Sequence, residues 1–170
     1  MLAPSYRMRY SPGSLVVIVG PAKLDPSAFA DRVIEERGAA MSLHKVRTLL
    51  AGRVEENEIE ERSNALLDAA VLKRLEASQT VVIPLVGFDR EERERFTRVA
   101  HRFKRPRHLI LLDGGRDDIS DEDRPALDEL RRAIDSGEVG QEGFQTAMRL
   151  SGNARAELKR IIFQPPPRDD

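Results

Sequence analysis

The chain has 170 residues, of which 28 are basic, 29 are acidic and none is cysteine, and 40% are hydrophobic but only 5% aromatic. A chain of this length predicts about one domain, and the composition is that of an ordinary globular protein rather than a disordered one. The formal net charge of −1 excludes a strong overall attraction to nucleic acid or to an anionic membrane, and the lack of cysteine excludes disulfides, thiolate nucleophiles and Cys-ligated metal sites.

Short apolar runs rich in β-branched residues predict buried strands. The predicted strands are SLVVIVG (14–20), TVVIPLV (80–86), HLILLD (108–113) and RIIF (160–163), with GAAMS (38–42) as a very short candidate. The predicted helices cover residues 25–37, 43–50, 55–77, 89–103, 125–135 and 142–150. Continuously apolar strands that alternate with helices indicate an α/β fold, with a mainly parallel sheet of about five strands and helices on both faces.

The two ends of the chain differ from its middle. Residues 1–12 are predicted to form an irregular leader, 13–164 a single domain, and 165–170 a Pro-rich tail. No apolar run approaches the roughly 20 residues of a membrane span, and the leader has no apolar segment typical of a secretory signal. We therefore expect a cytoplasmic protein with no membrane partner.

Several local patterns follow one another in a recognisable order. They are SLVVIVGP, MSLHKVRTLLAG, LKRLEASQTVVIPLVGFDREERERF, HLILLD and EGF (142–144). In this order and spacing the chain resembles the P-loop kinase family over residues 14–163, in particular small bacterial kinases similar to the kinase domain of polynucleotide kinase. The resemblance implies a three-layer P-loop NTPase-like fold, with a ligand crevice beyond the carboxyl ends of the strands.

The phosphate loop departs from the family pattern. A working loop has the sequence Gly-x-x-x-x-Gly-Lys-Ser/Thr: its backbone N–H groups and its Lys hold phosphate, and its hydroxyl holds magnesium. The matching segment here is Gly20, Pro21, Ala22, Lys23, Leu24, Asp25, Pro26 and Ser27. Asp25 stands at the second Gly and Pro26 at the Lys, so the first Gly and the final hydroxyl residue are what remain of the motif.

Both replacements oppose phosphate binding. Pro26 has no N–H to donate. The carboxylate of Asp25 would repel a phosphate at about 4 Å by about 4 kcal/mol in a partly buried site. The same carboxylate is predicted to cap the following helix by accepting from the N–H groups of Ser27 and Ala28, so that the helix supplies its own anion. Lys23 is the candidate for a displaced phosphate-binding Lys, and the alternative is a Lys in an exposed turn.

Other positions implied by the resemblance are altered too. The family residue that acts as base toward the acceptor hydroxyl falls at His44, between the matching Ser42 and Arg47. A neutral His can act as a base, but an ordinary surface or packed His is the alternative. The acidic residue that helps to place magnesium falls at Pro84. Arg116 and Arg124 are candidates for phosphate-clamping lid arginines, although five acids in the same loop favour a self-paired loop (Asp117, Asp118, Asp121, Glu122 and Asp123).

A local basic patch follows residue 95 and contains no acid up to residue 112. Its basic side chains are Arg95, Arg98, Arg102, Lys104, Arg105 and Arg107, with His101 and His108 among them. One interpretation is a surface that binds a nucleic-acid backbone. The other is a helix C-terminus whose cations suit the helix dipole, at the edge opposite the crevice.

These patterns lead to one hypothesis and two alternatives. The hypothesis is a degenerate P-loop kinase-like protein that has lost ATP–magnesium binding and phosphoryl transfer, and that acts as a binding or regulatory module for an unknown protein partner or as a homo-oligomer. No cofactor and no metal are then expected. The first alternative is a divergent kinase that uses ATP and magnesium through Lys23, Ser27, His44 and Arg47. The second is a nucleic-acid-binding protein.

Overall fold

A computed structural model describes residues 7–165 of the chain. Its strands are β1 (Arg7–Tyr10), β2 (Leu15–Gly20), β3 (Val81–Val86), β4 (Arg107–Leu112), β5 (Thr146–Leu150) and β6 (Arg160–Phe163). Its helices are α1 (Pro26–Val33), α2 (Leu43–Leu50), α3 (Ile59–Glu76), α4 (Arg90–Arg102), α5 (Arg124–Ser136) and α6 (Gly152–Glu157). Residues 1–6 of the predicted leader and 166–170 of the predicted tail lie outside the described residues.

The central sheet has the strand order β3-β2-β4-β5, and every neighbouring pair is parallel. A single bridge from Ala40 to Val82 continues the sheet beyond β3. Alternate residues of β2 enter two different cores, because successive side chains of a strand point to opposite faces. One core is shared with α3, α4 and α5, and the other with α1 and β6. The predicted three-layer α/β fold is confirmed.

Two predicted elements near the start of the sheet are shorter than expected. The GAAMS strand is reduced to the bridge at Ala40. Helix α1 ends at Val33 rather than near residue 37, because Ile34 leaves the helix in an extended conformation and bridges to Ile161 of β6. Tertiary pairing with β6 thus stops a helix that the local sequence would continue.

Two further predictions are wrong. The leader is not irregular throughout, since Arg7–Tyr10 forms β1 and pairs in parallel with β6 in a separate two-stranded sheet. Residues 142–150 do not form a helix: a 3-10 turn ends at Glu142, and β5 follows at Thr146. Strand β5 lies at the edge of the sheet, so it lacks the continuous apolar pattern of a strand buried on both faces.

The small sheet packs against His108, which stacks on Tyr10 with ring centroids 4.4 Å apart. Burial, and to a smaller extent the neighbouring Arg107, lower the pKa of His108 from 6.5 to about 4. The unfolded chain therefore takes up this proton at a higher pH than the folded one, and the free energy of unfolding should decrease as the pH falls from 6.5 towards 4.

Denaturant unfolding over that pH range measures this dependence. His108→Gln should reduce the pH dependence of the free energy of unfolding, whereas His101→Gln, at an exposed position of α4, should leave it unchanged. An NMR titration that places the His108 pKa near 6.5 would contradict the prediction.

Among residues 7–165, no helix combines the length and the hydropathy that crossing a membrane requires.

Candidate functional site

The candidate site lies beyond the carboxyl ends of β2, β3 and β4, where parallel strands deliver their following loops to one edge of the sheet. Gly20 ends β2 and is followed by the segment that resembles a phosphate loop. A Cβ on Gly20 would lie 2.9 Å from the Cβ of Leu112 and 3.4 Å from a ring carbon of Pro26. The absence of a side chain at Gly20 therefore lets the loop lie tightly against β4, with Pro26 buried.

Two backbone N–H groups of this loop donate hydrogen bonds to carbonyl oxygens of the loop itself. Residues Ala22–Leu24 form a 3-10 turn, in which Leu24 N donates to Pro21 O at 3.0 Å and Asp25 N donates to Ala22 O at 3.1 Å. Asp25 adopts a left-handed conformation with φ 47°, which Asp tolerates better than most residues and which also suits the Gly that the resemblance implies at this position. Two donors that could have faced a phosphate are therefore engaged within the turn.

Asp25 also caps α1, as the sequence predicted. Its Oδ1 accepts from Ala28 N at 3.1 Å, and its carbonyl accepts from Phe29 N at 3.0 Å. Ser27 N, the other predicted donor, does not bond this carboxylate. The carboxylate thus stands at the positive end of the helix dipole, where an external anion would otherwise bind.

Lys23 points toward a different loop. Its Nζ donates to the carbonyl oxygen of Asp117 at 3.0 Å, in a contact exposed to solvent. Lys23 therefore links the turn after β2 to the 3-10 turn Arg116–Asp118 that follows β4. The contact places this ammonium at the loop that contains Arg116.

Three of the predicted site residues meet in a second part of the crevice. Ser27, His44 and Arg47 line a cavity of about 290 Å³ between the start of α1, the end of β3 and helices α2, α3 and α4. Ser42 lines the same cavity, and its hydroxyl also caps α2 by accepting from Lys45 N at 3.1 Å.

The chemistry of that cavity is mainly apolar. Its wall at the end of β3 consists of Pro84, Leu85 and Val86, and Val86 is 65% exposed. Arg47 is held by Glu60: its Nη2 donates to Oε2 at 2.8 Å, and this hydrogen bond raises the pKa of Arg47 and lowers the pKa of Glu60. No carboxylate stands on these last residues of β3, where the resemblance implies a magnesium ligand.

The candidate lid arginines lie together but are not both free. Arg116 and Arg124 line a cavity of about 230 Å³ with Arg131. Arg124 pairs with Asp121 at 3.3 Å, in line with the prediction of a self-paired loop. Within residues 7–165, no group of three or more His, Asp or Glu side chains could hold a metal ion.

Sequence reasoning missed a charged cluster around Asp113, the residue after β4. The side chain of Asp113 is 4% exposed, and its carboxylate accepts from Arg131 Nη2 at 2.5 Å and from Arg149 Nη2 at 2.8 Å. Arg155 Nη1 donates to the Asp113 carbonyl at 2.6 Å. Burial raises the pKa of Asp113, but the hydrogen bonds from Arg131 and Arg149 outweigh it and hold the pKa below its usual value. An Asp that ends a buried strand is the one local signal that could have located this cluster.

A second missed feature is a buried ion pair between α4 and the turn before β5. Arg93 donates from Nε to Glu142 Oε1 at 2.7 Å and from Nη2 to Oε2 at 2.9 Å, and it also donates to the Phe88 carbonyl at 2.9 Å. The two side chains are 4% and 5% exposed. They are 49 residues apart in the chain, so no local pattern could have paired them.

The predicted basic patch is largely engaged within the protein. Arg105 donates to the carbonyls of Pro12 and Gly13, and Arg107 donates to the carbonyl of Gly143. The other engaged arginines bind acids or stack on a ring: Arg95 on Asp68, Arg98 on Glu94, and Arg102 over the ring of Phe103. Lys104 and Arg107 lie at the start of β4, the end opposite the crevice.

No family model and no curated protein matches the chain. Among solved structures, it is similar to the tunicamycin resistance protein of Deinococcus radiodurans, with 14% identity, a TM-score of 0.42, and coverage of 90% of this chain and 99% of that one. A candidate kinase of Chloroflexus aurantiacus J-10-fl has 12% identity and a TM-score of 0.46, over 83% of this chain and 85% of that one. A sugar kinase of Janibacter sp. HTCC2649 has 14% identity and a TM-score of 0.40, over 82% and 86%. Similarities at this level carry no conclusion about activity.

Proposed function

We propose that this protein is a degenerate P-loop kinase-like module of the cytoplasm that binds a protein partner and neither binds ATP–magnesium nor transfers a phosphoryl group. Phosphoryl transfer depends mainly on positioning and on charge stabilisation around the phosphates. A protein that lacks the groups that position and stabilise the phosphates can keep the crevice at the strand ends, but it cannot transfer a phosphoryl group.

The single observation that carries the proposal is the position of Asp25. Its carboxylate accepts from Ala28 N at the N-terminus of α1, on the site where a phosphate loop holds its anion. The side chain of Asp25 is exposed, so an ATP phosphate at about 4 Å from this carboxylate would be repelled by about 1 to 4 kcal/mol, the range between bulk water and a protein surface. Displacing the carboxylate would instead cost the helix its cap, about 1 kcal/mol.

The rest of the crevice supports the same proposal. Pro26 supplies no N–H, and the N–H groups of Leu24 and Asp25 are used inside the turn. The end of β3 presents Pro84, Leu85 and Val86 where a magnesium-organising carboxylate would stand. The divergent-kinase alternative would need Lys23 to leave the Asp117 carbonyl, and that movement would restore neither the lost donors nor the metal site.

Isothermal titration calorimetry with ATP and magnesium tests the proposal. We expect no binding tighter than about 1 mM for the wild-type protein. The double variant Asp25→Gly, Pro26→Lys removes the internal carboxylate and restores the Gly-Lys-Ser sequence at positions 25–27, so it should bind nucleotide more tightly than the wild type. The exposed Asp31→Asn is the matched control for loss of one acid on α1, and it should behave as the wild type does.

Magnesium-dependent binding to the wild-type protein that Lys23→Ala abolishes would overturn the proposal in favour of the divergent kinase. The nucleic-acid alternative predicts a salt-sensitive association that is lost when Arg102, Lys104 and Arg105 are changed to Glu. We expect no such association, because the Arg105 guanidinium is already bound to the Pro12 and Gly13 carbonyls.

A further inference from the structure

The outer side of α3 is more apolar than that of the neighbouring helices. In the middle of α4 and α5, the exposed side chains are charged (Arg98, Asp128, Glu129 and Arg132). In the middle of α3, Asp68 is the one exposed charged side chain, and it already binds Arg95 of α4 at 2.7 Å. The other exposed or half-buried side chains on the outer side are Ala65, Leu66, Ala69 and Leu72. Leu66 is 43% exposed, so an apolar surface faces solvent here.

Two opposite charges lie at the two ends of this surface. Arg62, Ala69 and Glu76 are spaced by seven residues, close to two full helical turns, so they lie on one side of α3. All three are exposed. Arg62 contacts Glu58 of the preceding turn at 3.4 Å, in an exposed pair that contributes little, and Glu76 forms no ion pair within residues 7–165.

We call this surface the α3 face; its residues are Arg62, Ala65, Leu66, Ala69, Leu72 and Glu76. Its order of charges matches a second α3 that runs in the opposite direction. In an antiparallel pair with a two-fold axis at Ala69, residues equally distant from Ala69 meet, so Arg62 of each copy lies opposite Glu76 of the other. A parallel pair would instead place Arg62 against Arg62 and Glu76 against Glu76. Charge complementarity thus fixes both the occupant and its direction.

The residues between the two charges suit close contact of two helices. The distance between packed helices depends on the side chains at the contact, and the methyl groups of Ala65 and Ala69 allow a short one. Leu66 and Leu72 lie on the two flanks of this line, where they would lose contact with water in the pair.

We propose that this chain forms a two-fold symmetric dimer in which the α3 faces of two copies pack antiparallel, with an Arg62–Glu76 ion pair on each side of the axis at Ala69. Closed two-fold symmetry is the commonest arrangement of homo-oligomers. The dimer goes beyond the function proposed above and does not depend on whether the protein binds ATP.

Sedimentation velocity and light scattering, from micromolar to near-millimolar concentrations, test the dimer. The wild-type protein should dimerise as its concentration rises. Arg62→Glu and Glu76→Arg each place like charges opposite each other twice in the dimer, and each should raise the dissociation constant at least about tenfold. When these two variants are mixed in equal amounts, both ion pairs return and a heterodimer should form. The double variant Arg62→Glu, Glu76→Arg should dimerise about as tightly as the wild type.

The matched controls are Arg132→Glu and Glu129→Arg, the same charge reversals at exposed positions of α5. Both should dimerise as the wild type does. Ala69→Arg places two long side chains of like charge at the axis, so it should abolish dimerisation. Arg has nearly the helix propensity of Ala, so the circular dichroism spectrum should stay that of the folded protein.

A wild-type protein that is monomeric at every concentration would overturn the inference and leave the α3 face to a partner of another sequence. So would single variants that dimerise as tightly as the wild type, or a mixture of the two that forms no heterodimer. None of these outcomes bears on the ATP titration, because the α3 face contributes no residue to the loop at residues 20–27 or to the cavity that contains His44.

Discussion

Asp113→Ala should lower the free energy of unfolding by about 3 kcal/mol, one of the largest effects of any single substitution outside the apolar core. The substitution removes the carboxylate that Arg131 and Arg149 share. Both guanidiniums would then be left close together and partly buried, at 28% and 35% exposed, with no charge between them. The end of β4 would also lose its side-chain link to α5 and β5.

Denaturant unfolding measures this effect, and Asp135→Asn is its matched control. Asp135 also binds Arg149, at 2.9 Å, but its side chain is 61% exposed, so its loss should cost less than about 1 kcal/mol. Equal effects of the two substitutions would contradict the interpretation of Asp113 as the centre of the cluster.

The same cluster predicts a dependence of stability on pH at the acid side. Because Arg131 and Arg149 hold the folded pKa of Asp113 below its ordinary value, the unfolded chain binds the proton first. The stabilisation is therefore present above the ordinary pKa of Asp and is lost as the pH falls through the lowered one. In Asp113→Asn this part of the acid dependence should disappear.

Arg93→Met should destabilise the protein by about 3–5 kcal/mol, because it leaves the Glu142 carboxylate buried without its partner. The two oxygens of Glu142 accept from Arg93 at 2.7 and 2.9 Å, in a pair that excludes water. The Phe88 carbonyl would lose its donor as well. Thermal and denaturant unfolding both report this loss.

The double variant Arg93→Met, Glu142→Leu separates the charge from the packing. It removes both ions together, so it should be more stable than Arg93→Met alone. Arg90→Ala is the control on the same helix: Arg90 pairs with Glu94 at 2.6 Å but is 57% exposed, so a much smaller change than that of Arg93→Met is expected. A double variant as unstable as the single one would show that shape, not charge, governs this position.

Much of the fold could be predicted because each central strand is an apolar run that can be recognised in the local sequence. The inner residues of β2, β3 and β4 are buried on both faces of the sheet, so each strand contains a continuous apolar run in the sequence. The helix starts at Asp25 and Asp89 could be predicted as well, since an N-cap acts on N–H groups only two or three residues away. These are local interactions, and local sequence is sufficient to find them.

The candidate site was predicted in part for the same reason. The loop at residues 20–27 is contiguous, so the effect of Asp25 and Pro26 could be worked out before its geometry was known. His44, Arg47 and Ser27 line one cavity, at the edge of the sheet where parallel strands deliver their following loops. The partners of Lys23 and Arg105 could not be predicted, because both donate to backbone carbonyls more than 90 residues away in the chain.

The amino-acid sequence by itself determined the alternation of helices and strands, the buried parallel sheet and the Asp cap of the helix after β2, since each depends on neighbours along the chain. The tertiary structure alone decided that residues 146–150 extend into β5, that β1 pairs with β6, and that Asp113 gathers arginines from α5, β5 and α6. An edge strand and an ion pair between distant elements gain their stability from contacts that form only once the chain is folded. Their residues therefore carry no periodic pattern of their own.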